Sequence, residues 1–77
     1  MNDITIQHYS DIVLHNHPNS RRFKSAKKHL EDVISGYRIT FIKMRGTTVA
    51  ATCNGLANAI EKKLNSALEQ NKWLKTQ

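Results

Sequence analysis

The chain has 77 residues and a mass of 8.8 kDa, so residues 1–77 are expected to form one domain. Hydrophobic residues make up 39% and charged residues 23%, which supports a folded core and argues against disorder. No apolar run approaches the roughly 18 residues of a transmembrane helix, and no signal peptide is expected. The single cysteine, Cys53, excludes an internal disulfide and fits a reducing compartment. We therefore expect a cytoplasmic, nucleoid-associated or nuclear protein with no membrane partner.

The first half of the chain predicts a strand followed by a helix. Residues 1–10 predict an arm or a short edge strand, and the compact β-branched run at residues 11–15 predicts the first full strand. Residues 15–20 predict a turn, in which Asn19 or Ser20 caps the next helix. That helix is expected to end at Gly36, and its apolar positions follow at helical spacing: Phe23, Ala26, Leu30, Val33 and Ile34.

The second half repeats the pattern. Residues 37–44 are rich in β-branched and aromatic side chains and predict the second strand. Residues 45–48 predict a tight loop, and Thr47 or Thr48 is expected to cap a helix whose apolar face includes Cys53 as a buried small hydrophobe. Gly55 in that helix is interpreted as a place of close approach, and residues 70–77 as a tail anchored by Trp73.

This order of elements predicts an α/β fold of the α+β type. Two amphipathic helices can hide their apolar faces on a small sheet, which gives a two-layer sandwich in the order β-α-β-α. An extra N-terminal strand is compatible with the same arrangement. If the two main strands are parallel neighbours, both strand–helix loops emerge at one end of the sheet.

Catalytic and metal-binding patterns are weak. The three glycines lie nine or ten residues apart, so no phosphate-binding or dinucleotide-binding loop is present, and the adjacent Glu31 and Asp32 would face different sides of a helix. His8, His15 and His17 are conceivable zinc ligands, but they have no cysteine partner or recognised spacing. They are more readily interpreted as histidines that help to contact phosphate. We expect no enzyme activity, no cofactor and no metal.

The charge is uneven along the chain. The net charge is −2 over residues 1–20, +6 over residues 21–45 and +2 over residues 46–77. A dense basic stripe attracts polyanions, because each neutralised phosphate releases condensed counterions. A solvated, lysine-rich helix face is the simpler alternative. If the two basic loops lie side by side, they predict a phosphate-binding surface made of Arg21, Arg22, Lys24, Lys28, Lys43, Arg45 and Thr47.

Two segments resemble the Alba superfamily of small basic nucleic-acid-binding proteins. Residues 42–49 (IKMRGTTV) look like the basic, glycine-containing turn that joins strand two to helix two of that family. Residues 11–14 and 21–24 resemble its first strand and the basic start of its first helix. The resemblance implies a dimer that binds DNA or RNA, with Arg21, Arg22, Lys43 and Arg45 on the phosphates. The C-terminal domain of translation initiation factor three is another basic βαβα module with similar surface properties.

Two functions are consistent with these residues. The first is a sequence-tolerant DNA- or RNA-binding protein that contacts the phosphate backbone through its strand–helix loops. The alternative is a small phage- or host-encoded regulator, an inhibitor or adaptor, that binds an acidic protein surface. We also expect a homodimer, because so small a domain has a marginal core and Leu56, Ile60 and Leu64 could pair with a symmetric mate.

Overall fold

The structure, a computed structural model that describes residues 3–75, is almost entirely helical over those residues. It contains α1 (Asp3–His15), α2 (Arg21–Lys43), α3 (Thr48–Gln70) and the short α4 (Lys72–Lys75). None of the described residues forms a strand. The predicted α/β sandwich is therefore wrong, and the protein is a bundle of three main helices.

The two long helices begin where the sequence predicts helix starts. The Ser20 hydroxyl accepts a hydrogen bond from the Phe23 amide at 3.2 Å, and the Thr47 hydroxyl accepts one from the Ala50 amide at 3.1 Å. Each bond satisfies an amide that has no partner inside its own helix. Both predicted caps are confirmed, and so is the turn between α1 and α2.

Helices α2 and α3 form a long antiparallel hairpin, and α1 packs against one end of it. Each long helix has 23 residues and is roughly 35 Å long, whereas the 13 residues of α1 cover roughly 20 Å. The molecule is correspondingly elongated, at 43 × 18 × 18 Å. The end of the hairpin that carries the α2–α3 turn therefore extends beyond α1.

The core lies where the three helices overlap. Val13 of α1, Leu30 of α2 and Ala57 of α3 have no exposed surface. Complete burial of a leucine such as Leu30 contributes about 1.5–3 kcal/mol to the free energy of unfolding. The other buried members of this cluster are Ile6, Phe23, Ala26, Ile34, Ile60, Leu64 and Ala67.

The predicted strands are instead parts of helices. Residues 4–6 and 11–15 belong to α1, and residues 37–43 belong to α2, which passes through Gly36 without stopping. Tyr37 packs against the core one turn beyond Ile34, so tertiary contacts outweigh the strand propensity of this run. Because the Alba-like fold depends on these strands, the fold implied by that resemblance is also wrong.

Two expectations for α3 are corrected as well. A Cβ atom placed on Gly55 would meet no atom within 4 Å, so no element approaches the helix closely there. Ile60 and Leu64 are only 2% and 4% exposed and already belong to the core of a single chain. They are not free to pair with a second copy, although Leu56 remains exposed.

Candidate interaction surface

The basic residues do not form one surface. Arg21 begins α2 and Lys43 ends it, so they are separated by roughly 33 Å at 1.5 Å per residue. The prediction that the two clusters lie side by side depended on parallel strands, and the helical hairpin puts them at opposite ends. A single cradle made from both clusters is excluded by this geometry.

The first cluster divides between two sides of α2. Arg21, Lys24 and Lys28 line a shallow surface pocket together with Asn19 and Ser25. Lys28 is paired with a carboxylate one turn later in the helix, that of Asp32, at 3.2 Å. Arg21 and Lys24 therefore carry most of the uncompensated charge on this side.

The remaining arginine of that cluster lies toward α1. Arg22 lines a different pocket, whose α1 side is formed by Tyr9 and Ile12. Further along the same side of α2, the His29 ring stacks on Tyr9 with ring centroids 4.4 Å apart. Arg21 lines both pockets, so it lies between Arg22 on one side and Lys24 and Lys28 on the other.

The second cluster surrounds the α2–α3 turn. Lys43 and Arg45 are exposed, and no carboxylate in the described part of the chain forms an ion pair with either of them. Gly46 follows at φ +89°, a conformation that favours glycine. The Thr47 hydroxyl donates to the Met44 carbonyl at 2.7 Å while it caps α3. Thr47 therefore has a structural task in the turn.

The histidines and the cysteine form no metal site. Within residues 3–75 no group of three histidine, cysteine or acidic side chains could hold an ion. The His17 Nδ1 atom accepts a hydrogen bond from the Asn19 amide at 3.0 Å, and the His17 ring packs edge-on against Trp73. Cys53 is 7% exposed on the apolar side of α3, which agrees with its interpretation as a small hydrophobe.

The most unusual surface is the end of the hairpin beyond α1, residues 37–56, which we call the hairpin tip. No residue of α2 after Ile34 is buried, because α1 does not reach this far. Single exposed apolar residues are ordinary on a protein surface, but a concentration of large ones in one part of the fold favours an interaction site there. Five large hydrophobic residues of the tip are at least 40% exposed: Ile39, Ile42, Met44, Val49 and Leu56.

The charge of the hairpin tip has one sign only. Between Asp32 and Glu61 the sequence has no acidic residue and three basic ones. Arg38 is one of the three, and its guanidinium donates to the Glu61 carboxylate at 2.7 Å across the hairpin. The other two, Lys43 and Arg45, are left to give the exposed apolar surface a positive rim.

Sequence reasoning assigned most of these apolar residues to a core. Ile39, Ile42 and Met44 fell within the predicted second strand and Val49 on the apolar face of the predicted second helix, whereas Leu56 was expected to pair with a symmetric mate. A usable signal was present nonetheless, because Tyr37 and Phe41 continue the helical spacing of Phe23, Ala26, Leu30 and Ile34. If the helix is predicted to continue to residue 43, Ile39 and Ile42 lie on its solvent-facing side, where no other element covers them.

Comparison with known proteins gives no match, whether to a protein-family model, to a characterised protein or to a solved structure. Within the described residues, no helix has both the length and the apolar character needed to cross a membrane. The surface itself is therefore the basis for assigning a function.

Proposed function

We propose that this protein is a small interaction module that binds an acidic protein partner through the hairpin tip. The observation that carries the proposal is the combination found there, namely large exposed hydrophobic residues bordered by Lys43 and Arg45 without any acidic residue. Apolar surface supplies most of the affinity of a protein interface, and complementary charge at its rim selects the partner and accelerates association.

The hairpin suits this task because the exposed side chains of the tip are not part of the buried core. The core lies at the other end, where α1 covers α2 and α3. Fully covering a half-exposed isoleucine such as Ile39 adds about 1 kcal/mol of favourable free energy. Several such residues together can offset the entropic cost of association, which is about 4–15 kcal/mol.

Nucleic-acid binding stays a prediction. In the helical structure it would depend on one side of α2, where Arg21 and Lys24 are exposed and Lys28 is neutralised by Asp32. The strand–helix loops that were expected to contact phosphate do not exist. The tip adds apolar side chains that a phosphate backbone does not require, which favours a protein partner.

A pull-down with matched variants tests the proposed function. The bait is the full chain, used against nuclease-treated cell extract. The tip variant is Lys43→Glu combined with Arg45→Glu, and the control is Arg21→Glu combined with Lys24→Glu, which reverses the same amount of charge at the other end of α2. We expect an acidic protein that the unaltered chain and the control retain and the tip variant loses.

Two outcomes contradict the proposal. In one, the protein is captured only from extract that has not been treated with nuclease, which would indicate that nucleic acid holds it. In the other, the tip variant and the control lose the same protein equally, which would indicate a response to overall charge. Circular dichroism of both variants checks that each remains helical.

A further inference from the structure

We infer that the partner presents an acidic amphipathic helix, which lies in the groove between α2 and α3 directly beyond the start of α1. This inference rests on the proposed function and names the kind of partner and its position. The positions that border this groove, called the distal groove below, are assigned by helical spacing as Gly36 and Lys43 of α2 and Val49 and Leu56 of α3.

The α3 side of the distal groove continues the surface that α1 already covers. Gln70 and Lys63 both line pockets formed with α1 residues. Steps of seven residues stay on nearly the same side of a helix, so Leu56 and Val49 follow Lys63 along this side. Leu56 is 40% exposed and Val49 is 50% exposed, because α1 does not extend over them.

On α2, too, the side that faces α1 continues into the distal groove. Arg22 and His29 face α1, the first through a shared pocket and the second through its stacking on Tyr9. The next two positions at the same spacing are Gly36 and Lys43. A Cβ atom on Gly36 would meet nothing within 4 Å, so the groove is open here and a helix backbone could approach closely.

The length of the distal groove matches a helix of moderate size. Ile4, near the start of α1, lines a pocket with Lys63, so α1 begins at this level of α3. From Lys63 to Val49 the distance along α3 is roughly 21 Å, which accommodates about 14 helical residues. A partner helix of that length would complete the bundle over the tip, as α1 does over the core. It would also reach Ile4, which is 80% exposed.

Charge decides between a partner helix and a second copy of this chain. The groove offers Lys43, with Arg45 beside it, and the tip has no acidic residue. Two tips facing each other would bring four unpaired cations together and supply no carboxylate. An amphipathic helix with glutamate or aspartate beside its apolar row supplies both the hydrophobic contacts and the missing charge.

The test uses a designed peptide and the isotopically labelled full chain. The probe is a helical 14-residue peptide with leucines at three- and four-residue spacing and glutamates on both flanks. Its counterpart has lysine in place of every glutamate. Two-dimensional NMR should show that the acidic peptide shifts the amide signals of Gly36 and Leu56 and that the basic peptide does not.

Two single variants locate the binding side. Leu56→Lys should lower the affinity for the acidic peptide by about tenfold or more, because it puts a charge in the apolar floor of the groove. Ile39→Lys adds the same charge to the outer side of α2 and should change the affinity by less than about twofold. Both residues are exposed, and thermal melts confirm that each variant folds.

Three results with the peptides would overturn the inference. They are equal binding of the basic peptide, signal changes confined to Ile39 and Ile42, and no change with acidic peptide at about 1 mM. Sedimentation that shows a dimer broken by Leu56→Lys would overturn it too, since the groove would then hold a second copy. If the pull-down still yields an acidic protein that depends on the tip, the proposed function survives and only the helix assignment fails.

Discussion

The Asn71 side chain donates a hydrogen bond to the Val13 carbonyl at 2.7 Å, between the end of α3 and the last turn of α1. The same amide nitrogen donates to the Asn16 carbonyl at 2.9 Å. Asn71 has no exposed surface, and its side-chain oxygen accepts from the Trp73 amide at 3.0 Å and the Leu74 amide at 3.3 Å. One residue thus satisfies carbonyls at the end of α1 and begins α4.

Asn71→Asp should therefore destabilise the fold strongly. A carboxylate has nearly the same shape, but it cannot donate to the two carbonyls and would place a negative charge beside them. We expect the free energy of unfolding to fall by about 2–3 kcal/mol, measured by urea denaturation at neutral pH. Asn65→Asp, at an exposed position of α3, is the matched control and should change it by less than about 0.5 kcal/mol. Equal effects of the two changes would contradict the role of Asn71.

The second prediction concerns Thr47 as the cap of α3. Thr47→Ala removes the acceptor for the Ala50 amide and the donor to the Met44 carbonyl, so it should cost about 1 kcal/mol of stability. Thr47→Ser keeps both bonds and should cost less than half of that. Thr48→Ala, one residue later inside α3, is the control. If Thr47→Ser destabilised as much as Thr47→Ala, capping would not explain the residue.

The third prediction concerns one glycine inside α3, Gly55, and one in the α2–α3 turn, Gly46. Gly55→Ala should stabilise the protein by about 0.5–1 kcal/mol, because it reduces the freedom of the unfolded chain and the new methyl group meets no atom within 4 Å. The same change at Gly46 should destabilise it, since that residue has φ +89°. Thermal unfolding of the two variants should therefore shift in opposite directions.

The fourth prediction separates nucleic-acid binding from binding of an acidic protein. If the chain binds nucleic acid, the triple change of Arg21, Lys24 and Lys28 to alanine should weaken binding in gel shifts with duplex DNA, duplex RNA and single strands. The slope of log affinity against log salt concentration should become shallower by about 2–3. Lys28 should contribute least to this change, because it is paired with Asp32.

The control for that experiment is Lys43→Ala combined with Arg45→Ala. These residues lie at the other end of α2 and should leave the affinity for nucleic acid nearly unchanged if the Arg21 side is the contact. If the unaltered chain shows no binding at low salt, the prediction of nucleic-acid binding is wrong, whereas the proposed protein interaction is unaffected.

Local chemistry in the sequence determined where the long helices begin. Ser20 and Thr47 can be recognised as caps because a hydroxyl before an apolar helical pattern satisfies free amides within the next three residues. The turn that contains Pro18 and the buried character of Cys53 are equally local. The distribution of charge, with no acidic residue between Asp32 and Glu61, is also evident from the sequence alone.

The tertiary structure decided between strand and helix for residues 11–15 and 37–43. Their β-branched and aromatic side chains favour strands locally, but Val13 and Tyr37 gain more by packing on the other helices. That outcome also separated Arg21 from Lys43, because a helix of 23 residues has a fixed length whereas two strand–helix loops would have met at one sheet edge. The exposed hairpin tip follows from the same cause, since α1 is too short to cover the full length of α2 and α3.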